Sequence, residues 1–311
     1  MPAWNELLEE IDSLPPDQAG PLIKSRLTEA LGDISRLRND TNVVLYGTAF
    51  LQRPNLPFEM AAITAEDLNG IMSVIYGMTW QRGLTLVLHT PGGSTNAAET
   101  IVAYLRSKFD YIEVIVPTYA MSAGTMISLA ADRVVMGRQS QLGPIDPQLG
   151  GIAASSIRDQ FNLARLEILG DPATGTPGNV NAAHLWAPVL GTIGPALLVE
   201  AQNALDYGER MAGEWLTFGD ASLHKSHGRR IDRAEAQAVG LTVEEMEASQ
   251  ELQEAVLTAY HLMTIVFEKS PAAKLLWTNT DRTWIKNLGQ VMVQQVPSPP
   301  GAPTPGPQPA S

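Results

Sequence analysis

The spacing of hydrophobic residues divides the chain into a helical start, an alternating middle and a helical remainder. Residues 1–40 repeat apolar positions every three or four residues, beginning with Trp4, Leu7 and Ile11, which predicts amphipathic helices. From residue 42 the runs NVVLYGTAF, GLTLVLHT, YIEVIVP and RVVMG predict strands, with helical patterns between them. This alternation predicts an α/β fold with right-handed crossovers and a mostly parallel sheet flanked by helices.

After this alternating middle, the sequence predicts mainly helices and then a proline-rich end. Helical patterns dominate from about residue 157 to 275, including the short helix DRAEAQAVGL with Asp232 as its cap, and the chain ends in VPSPPGAPTPGPQPAS. We therefore expect an N-terminal helical segment at 1–40, one α/β domain at 41–290 with a helical C-terminal part, and a disordered Pro-rich tail at 291–311. Within the domain, Thr64 is the predicted N-cap of the helix TAEDLNGIMSVIYGM, and Asp67 is an ordinary acidic residue of its first turn.

Composition narrows the classes of partner and cofactor. The formal net charge of −12 argues against a nucleic-acid partner, since phosphate binding needs a basic surface. The chain contains no cysteine, which removes disulfides and thiolate nucleophiles and fits a cytoplasmic location. No signal peptide and no membrane span are predicted, because no basic segment precedes an apolar one at the start and no apolar run approaches 18 residues. Neither a metal-ligand spacing nor a phosphate loop is recognisable, so we expect no cofactor.

Two strand-to-helix junctions carry the candidate chemistry: the run HTPGG at 89–93 and the run MSAG at 121–124. The carboxyl ends of parallel strands are where active sites gather in α/β sheets. Ser122 at the start of a helix could present its hydroxyl as a nucleophile, with the amide of Ala123 and the Gly92-Gly93 turn as donors to an oxyanion. Each junction also has an ordinary interpretation, because a serine commonly caps a helix and Pro-Gly-Gly commonly ends a strand.

Taken together, the motifs TPGG, AMSAGT, GPIDPQ and HGRRIDRAEAQAVGL make the chain resemble the serine dehydrogenase proteinase family over roughly residues 40–245. That family is related to signal peptide peptidase A and shares the Clp protease/crotonase superfold. The resemblance implies repeated ββα units, a nucleophilic Ser122 and an oxyanion hole built by Gly92, Gly93 and Ala123. It also implies a peptide or unfolded protein as substrate and a homo-oligomeric assembly.

The general base does not follow from the resemblance. Relatives use either a Ser-His-Asp triad or a Ser-Lys dyad, yet GPIDPQ at 143–148 lacks a histidine and no lysine lies between Ser122 and Lys225. The remaining candidates are His224, Lys225 and His227, and the alternative is that this run is a solvated loop and the base is absent. We favour His227, because a neutral imidazole is a suitable base near neutral pH, whereas a lysine must first be buried to lose its proton.

For Asp146 the sequence leaves two roles open, and for the whole chain it leaves three functions. Asp146 could orient a base or cap a turn between two prolines, and we favour the structural role.

The leading hypothesis is a serine endopeptidase-like hydrolase acting through a Ser122 acyl-enzyme. The first alternative is a catalytically inactive scaffold or assembly subunit with the same fold. The second, less favoured, is an acyl-CoA hydratase or isomerase, which would also hold an oxyanion with backbone amides.

Overall fold

The computed structural model describes residues 4–149, 152–191, 196–215, 231–238 and 241–289. The helices are α1 (Trp4–Asp12), α2 (Pro16–Leu37), α3 (Phe58–Ala61), α4 (Asp67–Ile75), α5 (Thr95–Arg106), α6 (Ala123–Leu129), α7 (Ala154–Leu169), α8 (Ala183–Gly191), α9 (Leu197–Trp215), α10 (Arg233–Ala238) and α11 (Gln250–Lys269). The strands are β1 (Asn42–Thr48), β2 (Leu84–His89), β3 (Ile112–Val116), β4 (Tyr119–Ala120), β5 (Arg133–Met136), β6 (Gln141–Leu142), β7 (Gln148–Leu149), β8 (Ile152–Ala153), β9 (Gly170–Asp171), β10 (Thr176–Pro177), β11 (Val243–Glu245), β12 (Ala272–Thr278) and β13 (Thr283–Asn287).

A seven-stranded sheet in the order β11-β5-β3-β2-β1-β12-β13 forms the centre of the fold. The first five strands of that order pair in parallel, whereas β12 and β13 are antiparallel to their neighbours. Short strands β4 and β6 pair in parallel outside the main sheet. The predicted α/β class, with a mostly parallel sheet flanked by helices, is confirmed.

Helices cover both faces of the sheet, and alternate strand residues point into two separate cores. Val44 and Tyr46 of β1 belong to the core under α4, α5 and α6, and Val43 and Leu45 belong to the core under α1, α2 and α11. Strands buried on both faces read as continuous apolar runs, which is why NVVLYGT and LTLVLH carry little polar alternation. The result is a rigid support beneath the carboxyl edge of the parallel strands.

The N-terminal helices are an integral layer of this support. Leu27 and Leu31 of α2 are fully buried in the same core as Leu45 and as Val256 of α11. Trp4 Nε1 donates to Thr264 Oγ1 at 3.1 Å, which fixes α1 against α11. The proposed division at residue 40 stays a prediction, and the tail expected at 291–311 lies outside the described residues.

One predicted cap differs from the structure. Helix α4 begins at Asp67, its N-cap position is Glu66, and no side chain caps it, so the prediction of Thr64 as N-cap is wrong. Instead the Thr64 amide donates to Asp67 Oδ2 at 2.8 Å. Asp232, in contrast, accepts from the Glu235 amide at 3.0 Å at the start of α10, as predicted. Within the described ranges, no helix combines the length and the apolar character needed to cross a bilayer.

Candidate active site

The two junctions named from the sequence meet at the carboxyl edge of the sheet. Strand β2 ends at His89, and the next residue, Thr90, forms a parallel bridge with Ala120 at the end of β4. The Thr90 amide donates to Tyr119 O at 3.0 Å, and the Met121 amide donates to Thr90 O at 3.1 Å. Backbone hydrogen bonds therefore hold the Pro-Gly-Gly turn directly beside the residue that precedes Ser122.

Ser122 occupies a strained turn between β4 and α6. Its φ of 49° and ψ of −111° lie where non-glycine residues are rare, at a cost on the order of 1–3 kcal/mol. The carbonyl of Ser122 accepts from the Met126 amide at 3.1 Å, while its side chain does not cap the helix. A sharp strand-to-helix turn also presents the nucleophilic serine of α/β-hydrolases.

Gly92 packs against Ser122 so closely that no side chain fits. It has a φ of +98°, and a Cβ built on it would lie 2.7 Å from Ser122 Cβ and 2.6 Å from Met121 O. Its own amide donates to Thr90 Oγ1 at 3.1 Å. Gly92 thus sets the spacing between the two junctions.

Gly93 makes an equally close approach to a third segment, residues 62–64. It has a φ of +154°, and a Cβ there would lie 2.3 Å from both the nitrogen and the oxygen of Ile63. Ile63 donates to Gly92 O at 2.7 Å and accepts from the Ser94 amide at 2.9 Å. Both flanks of Gly93 are consequently fixed to Ile63.

The amides of Gly93 and Ala123, both near Ser122, have no protein acceptor among the described residues. Ala123 is the first residue of α6, so its amide has no partner inside the helix. The Gly93 amide is the middle one of a turn whose neighbours, Gly92 and Ser94, use theirs on Thr90 and Ile63. A pair of unused donors beside a serine is what an oxyanion hole requires.

An open cleft of about 480 Å³ leads to Ser122. Its lining includes Ser122 and Gly93, and it continues over Phe58, Ile63 and Leu149. Apolar surface with a few polar groups is typical of a substrate site.

Asp146 is buried next to the start of α7. Its carboxylate accepts from the Ser155 amide at 3.2 Å and from the Ser155 hydroxyl, in the first turn of α7. These bonds agree with the structural role that the sequence analysis favoured, and the orienting role stays an untested prediction. His224, Lys225 and His227, the candidate bases, lie outside the described residues.

His89 is part of the support beneath the site. Its ring is wholly buried, with Nδ1 2.9 Å from Thr118 Oγ1 and ring centroids 4.9 Å from Phe50 and 5.1 Å from Tyr260. Burial lowers the pKa of His89 from its ordinary value to about 3, so the ring is neutral across the physiological range. Among the described residues, no cluster of histidine and carboxylate side chains is arranged to bind a metal ion.

A buried charged cluster next to the cleft is the feature that sequence reasoning missed. Lys274 Nζ lies 2.7 Å from both carboxylate oxygens of Asp67 and 2.6 Å from Ala62 O, and the Tyr46 hydroxyl donates to Asp67 Oδ2 at 3.0 Å. Lys274 and Asp67 are fully buried. Burial lowers the pKa of Lys274, and it raises the pKa of Tyr46, together with the neighbouring carboxylate. A lysine inside the buried run AAKLLWT was the available signal, because a buried ammonium needs a partner.

Comparison with known proteins agrees with this geometry. Residues 34–168 match the model of a family described as ClpP-like SDH-type serine proteinase. The resemblance is confirmed over this segment. The matched segment contains the Gly92-Gly93 turn, Ser122 and Asp146, and it ends before the three candidate bases, His224, Lys225 and His227.

Similar individual proteins add little detail. Uncharacterized proteins MJ0137 and MJ1495 of Methanocaldococcus jannaschii are 45% and 39% identical over 95 and 99 residues, which are 30% and 32% of this chain. These matches span only about a third of the relatives' own lengths, 33% and 34%.

Two solved structures resemble the chain weakly. A mutant of ClpP1 from Listeria monocytogenes has a TM-score of 0.39 at 16% identity, covering 71% of this chain and 99% of that one. A mutant of the 1510-N membrane-bound stomatin-specific protease has a TM-score of 0.34 at 14% identity, covering 59% and 75%.

Proposed function

We propose that the chain is a serine endopeptidase in which Ser122 forms an acyl-enzyme with a peptide carbonyl. The observation that carries the proposal is the arrangement of three groups on one edge of the sheet. Ser122 lies in a strained turn, and the unused amides of Gly93 and Ala123 lie in the two segments that meet there. The family match over residues 34–168 supports a serine proteinase in general.

In the proposed reaction the Ser122 hydroxyl adds to the carbonyl carbon and its proton passes to the base. The Gly93 and Ala123 amides donate to the oxygen that becomes negative. Collapse of this intermediate breaks the peptide C–N bond, and the base returns the proton to the leaving amine. Water then adds to the ester by the same route and releases Ser122 and a carboxylic acid.

His227 is our proposed base, with Lys225 and His224 as the alternatives. A neutral imidazole takes and returns a proton near neutral pH without needing burial. Asp146 accepts two hydrogen bonds from Ser155, and we propose a structural role for this carboxylate, with orientation of the base as the alternative.

A fluorophosphonate probe tests the nucleophile. We expect covalent labelling of the full chain, loss of labelling in Ser122→Ala, and cleavage of unfolded casein by the wild type only. A wild type that is neither labelled nor proteolytic would instead support the inactive scaffold. For the base, we expect His227→Ala to abolish labelling and Lys225→Ala to retain most of it, and the reverse result would indicate a Ser-Lys dyad.

We also propose that the chain assembles as a homo-oligomer. Supporting this, several large apolar side chains between residues 152 and 199 are exposed: Ile152, Leu163, Leu169, Val180, Leu185 and Val199. Apolar surface concentrated in one part of a chain is typical of an interaction surface.

A further inference from the structure

We propose that Lys274 and Asp67 are positioning residues that hold the oxyanion amide of Gly93 beside Ser122. They act through residues 62–64, which line the cleft and which both side chains bind by hydrogen bonds. The proposal rests on the proposed function, because it assigns the pair a part in the same reaction. Neither side chain touches the substrate.

The pair fixes both ends of this three-residue segment. Lys274 Nζ donates to Ala62 O at 2.6 Å, and Asp67 Oδ2 accepts from the Thr64 amide at 2.8 Å. Lys274 comes from β12 and Asp67 from the start of α4, so two separate elements hold one short stretch of backbone. Hydrogen bonds that include a charged group are the stronger kind.

The middle residue of the segment transmits this constraint to Gly93. Ile63 donates to Gly92 O at 2.7 Å and accepts from the Ser94 amide at 2.9 Å. Gly93 itself packs on the Ile63 backbone with no room for a Cβ. The carbonyl before Gly93 and the amide after it are thereby anchored, and the Gly93 amide remains the one donor of this turn without an acceptor among the described residues.

The cluster is built for orientation more than for net stability. Both charges are fully buried, and the three acceptors around Nζ match the three protons of an ammonium. Apolar side chains of similar volume would fill such a position at equal or lower free energy, but they could not bind the backbone at Ala62 and Thr64. Catalytic groups depend on this kind of support, because a displacement of about 1 Å can cost about 100-fold in rate.

The test removes both charges at once so that neither is left buried alone. In the full-length double variant Lys274→Met/Asp67→Leu we expect a folded protein whose limiting rate of fluorophosphonate labelling falls at least about tenfold. Amide hydrogen exchange at Ile63 and Ser94 is expected to rise by a similar factor. Asp67→Asn, which keeps the shape and one acceptor, serves as the second variant if the double variant does not fold, with smaller changes in the same direction.

A second, largely buried ion pair provides the control, in which the Glu113 side chain is 1% exposed and the Arg38 side chain 12%. Arg38 lies 2.9 Å and 3.1 Å from the two carboxylate oxygens of Glu113 through its Nε, near the amino end of the parallel strands and away from Ser122. The variant Arg38→Met/Glu113→Leu removes this pair and leaves Glu244, which Arg38 also binds, to its second partner Arg133. We expect its folded fraction to keep the wild-type labelling rate and the wild-type exchange at Ile63 and Ser94.

Hydrogen exchange and fluorophosphonate labelling test the positioning role of Lys274 and Asp67 separately from the peptidase activity. Exchange at Ile63 and Ser94 reports the positioning even if Ser122 is never labelled, in which case the peptidase fails on its own. Wild-type exchange at both amides in a folded variant would overturn the positioning role. Faster exchange with an unchanged labelling rate would overturn its link to the reaction, as would an equal loss of labelling in the control variant.

Discussion

At the scale of single residues, the contact between Gly92 and Ser122 is the one that joins the two junctions. A Cβ at position 92 would lie 2.7 Å from Ser122 Cβ and 2.6 Å from Met121 O, in a backbone conformation with a φ of +98°. The two junctions can therefore approach each other only because one of them lacks a side chain. Ser122 adds its own strain, so the free energy stored here is recovered elsewhere in the fold.

Gly92→Ala tests this contact. We expect labelling of Ser122 to fall about 100-fold, because the new methyl group displaces the turn or the serine by a fraction of an ångström to 1 Å. The free energy of unfolding should decrease by about 1–3 kcal/mol from the strained φ alone. Labelling kinetics and urea denaturation measure the two effects.

Gly32→Ala is the control for that substitution. A Cβ at Gly32 in α2 meets nothing within 4 Å. This variant should keep full labelling and gain about 0.4–1 kcal/mol of stability. Wild-type labelling in Gly92→Ala would show that the spacing of the junctions is not needed.

The buried His89 makes stability depend on pH. Its folded-state pKa of about 3 lies below the unfolded value near 6.5, so between these values the unfolded chain binds a proton that the folded chain does not. The contribution of His89 to stability is therefore greatest above pH 6.5 and falls by about 1.4 kcal/mol for each pH unit between pH 6.5 and about 3. Denaturant titrations at pH 7.5 and 5.5 should show this loss in the wild type but not in His89→Phe.

His184 offers the comparison for that experiment, because its side chain is exposed on α8. The variant His184→Gln should keep the wild-type dependence on pH. If His89→Phe lost stability between pH 7.5 and 5.5 as steeply as the wild type does, another group would be responsible.

The sequence identified those candidate site residues whose amino-acid type and position at a strand or helix end are distinctive. The Gly92-Gly93 turn and Ser122 could be named because glycine pairs and a serine at a helix start are recognisable in one dimension. Which amide is free could not, since that depends on Thr90 Oγ1 accepting from Gly92 and on Ile63 accepting from Ser94. Those partners come from other segments and carry no sequence signal of their own.

At the scale of elements, the main strands and helices up to β5 followed their hydrophobic periods, whereas β11, β12 and β13 were not among the predicted strands. Contacts between elements far apart in the chain did not follow local rules. Asp67 reads as an ordinary acidic residue in the first turn of a helix, whereas it is fully buried on Lys274 of β12. A contact across 207 residues of chain cannot be derived from the spacing around either residue. Thr64 does not cap α4 as predicted, and its amide donates to the Asp67 carboxylate three residues further along the chain.

This ion pair also explains why α4 and β12 are coupled to the site although neither contributes a reacting group. Breaking one partner of a buried pair typically costs about 3–5 kcal/mol, because the remaining charge stays buried. The helix and the strand are therefore tied to residues 62–64, and through Ile63 to the Gly93 turn. The rigid part of the site extends from the cleft to the antiparallel edge of the sheet.

At the scale of the whole molecule, the two-sided core leaves one part of the chain thinly covered. Helices α7, α8 and α9 contribute few buried apolar residues, and α8 has none. Leu169 and Leu185 are 73% and 78% exposed there. The sequence predicted the helices but not this exposure, because an amphipathic pattern does not reveal which partner covers the apolar side.

The proposed homo-oligomer follows from that exposure. Light scattering on the full chain should give a mass that is a multiple of 33.5 kDa, and Leu169→Glu/Leu185→Glu should shift it toward that of the single chain, since buried carboxylates oppose association. Leu51→Glu, at an apolar residue that is 44% exposed outside this region, should leave the mass unchanged. A wild type that stays at 33.5 kDa at micromolar concentration would contradict the assembly, and loss of assembly in Leu51→Glu would place the interface elsewhere.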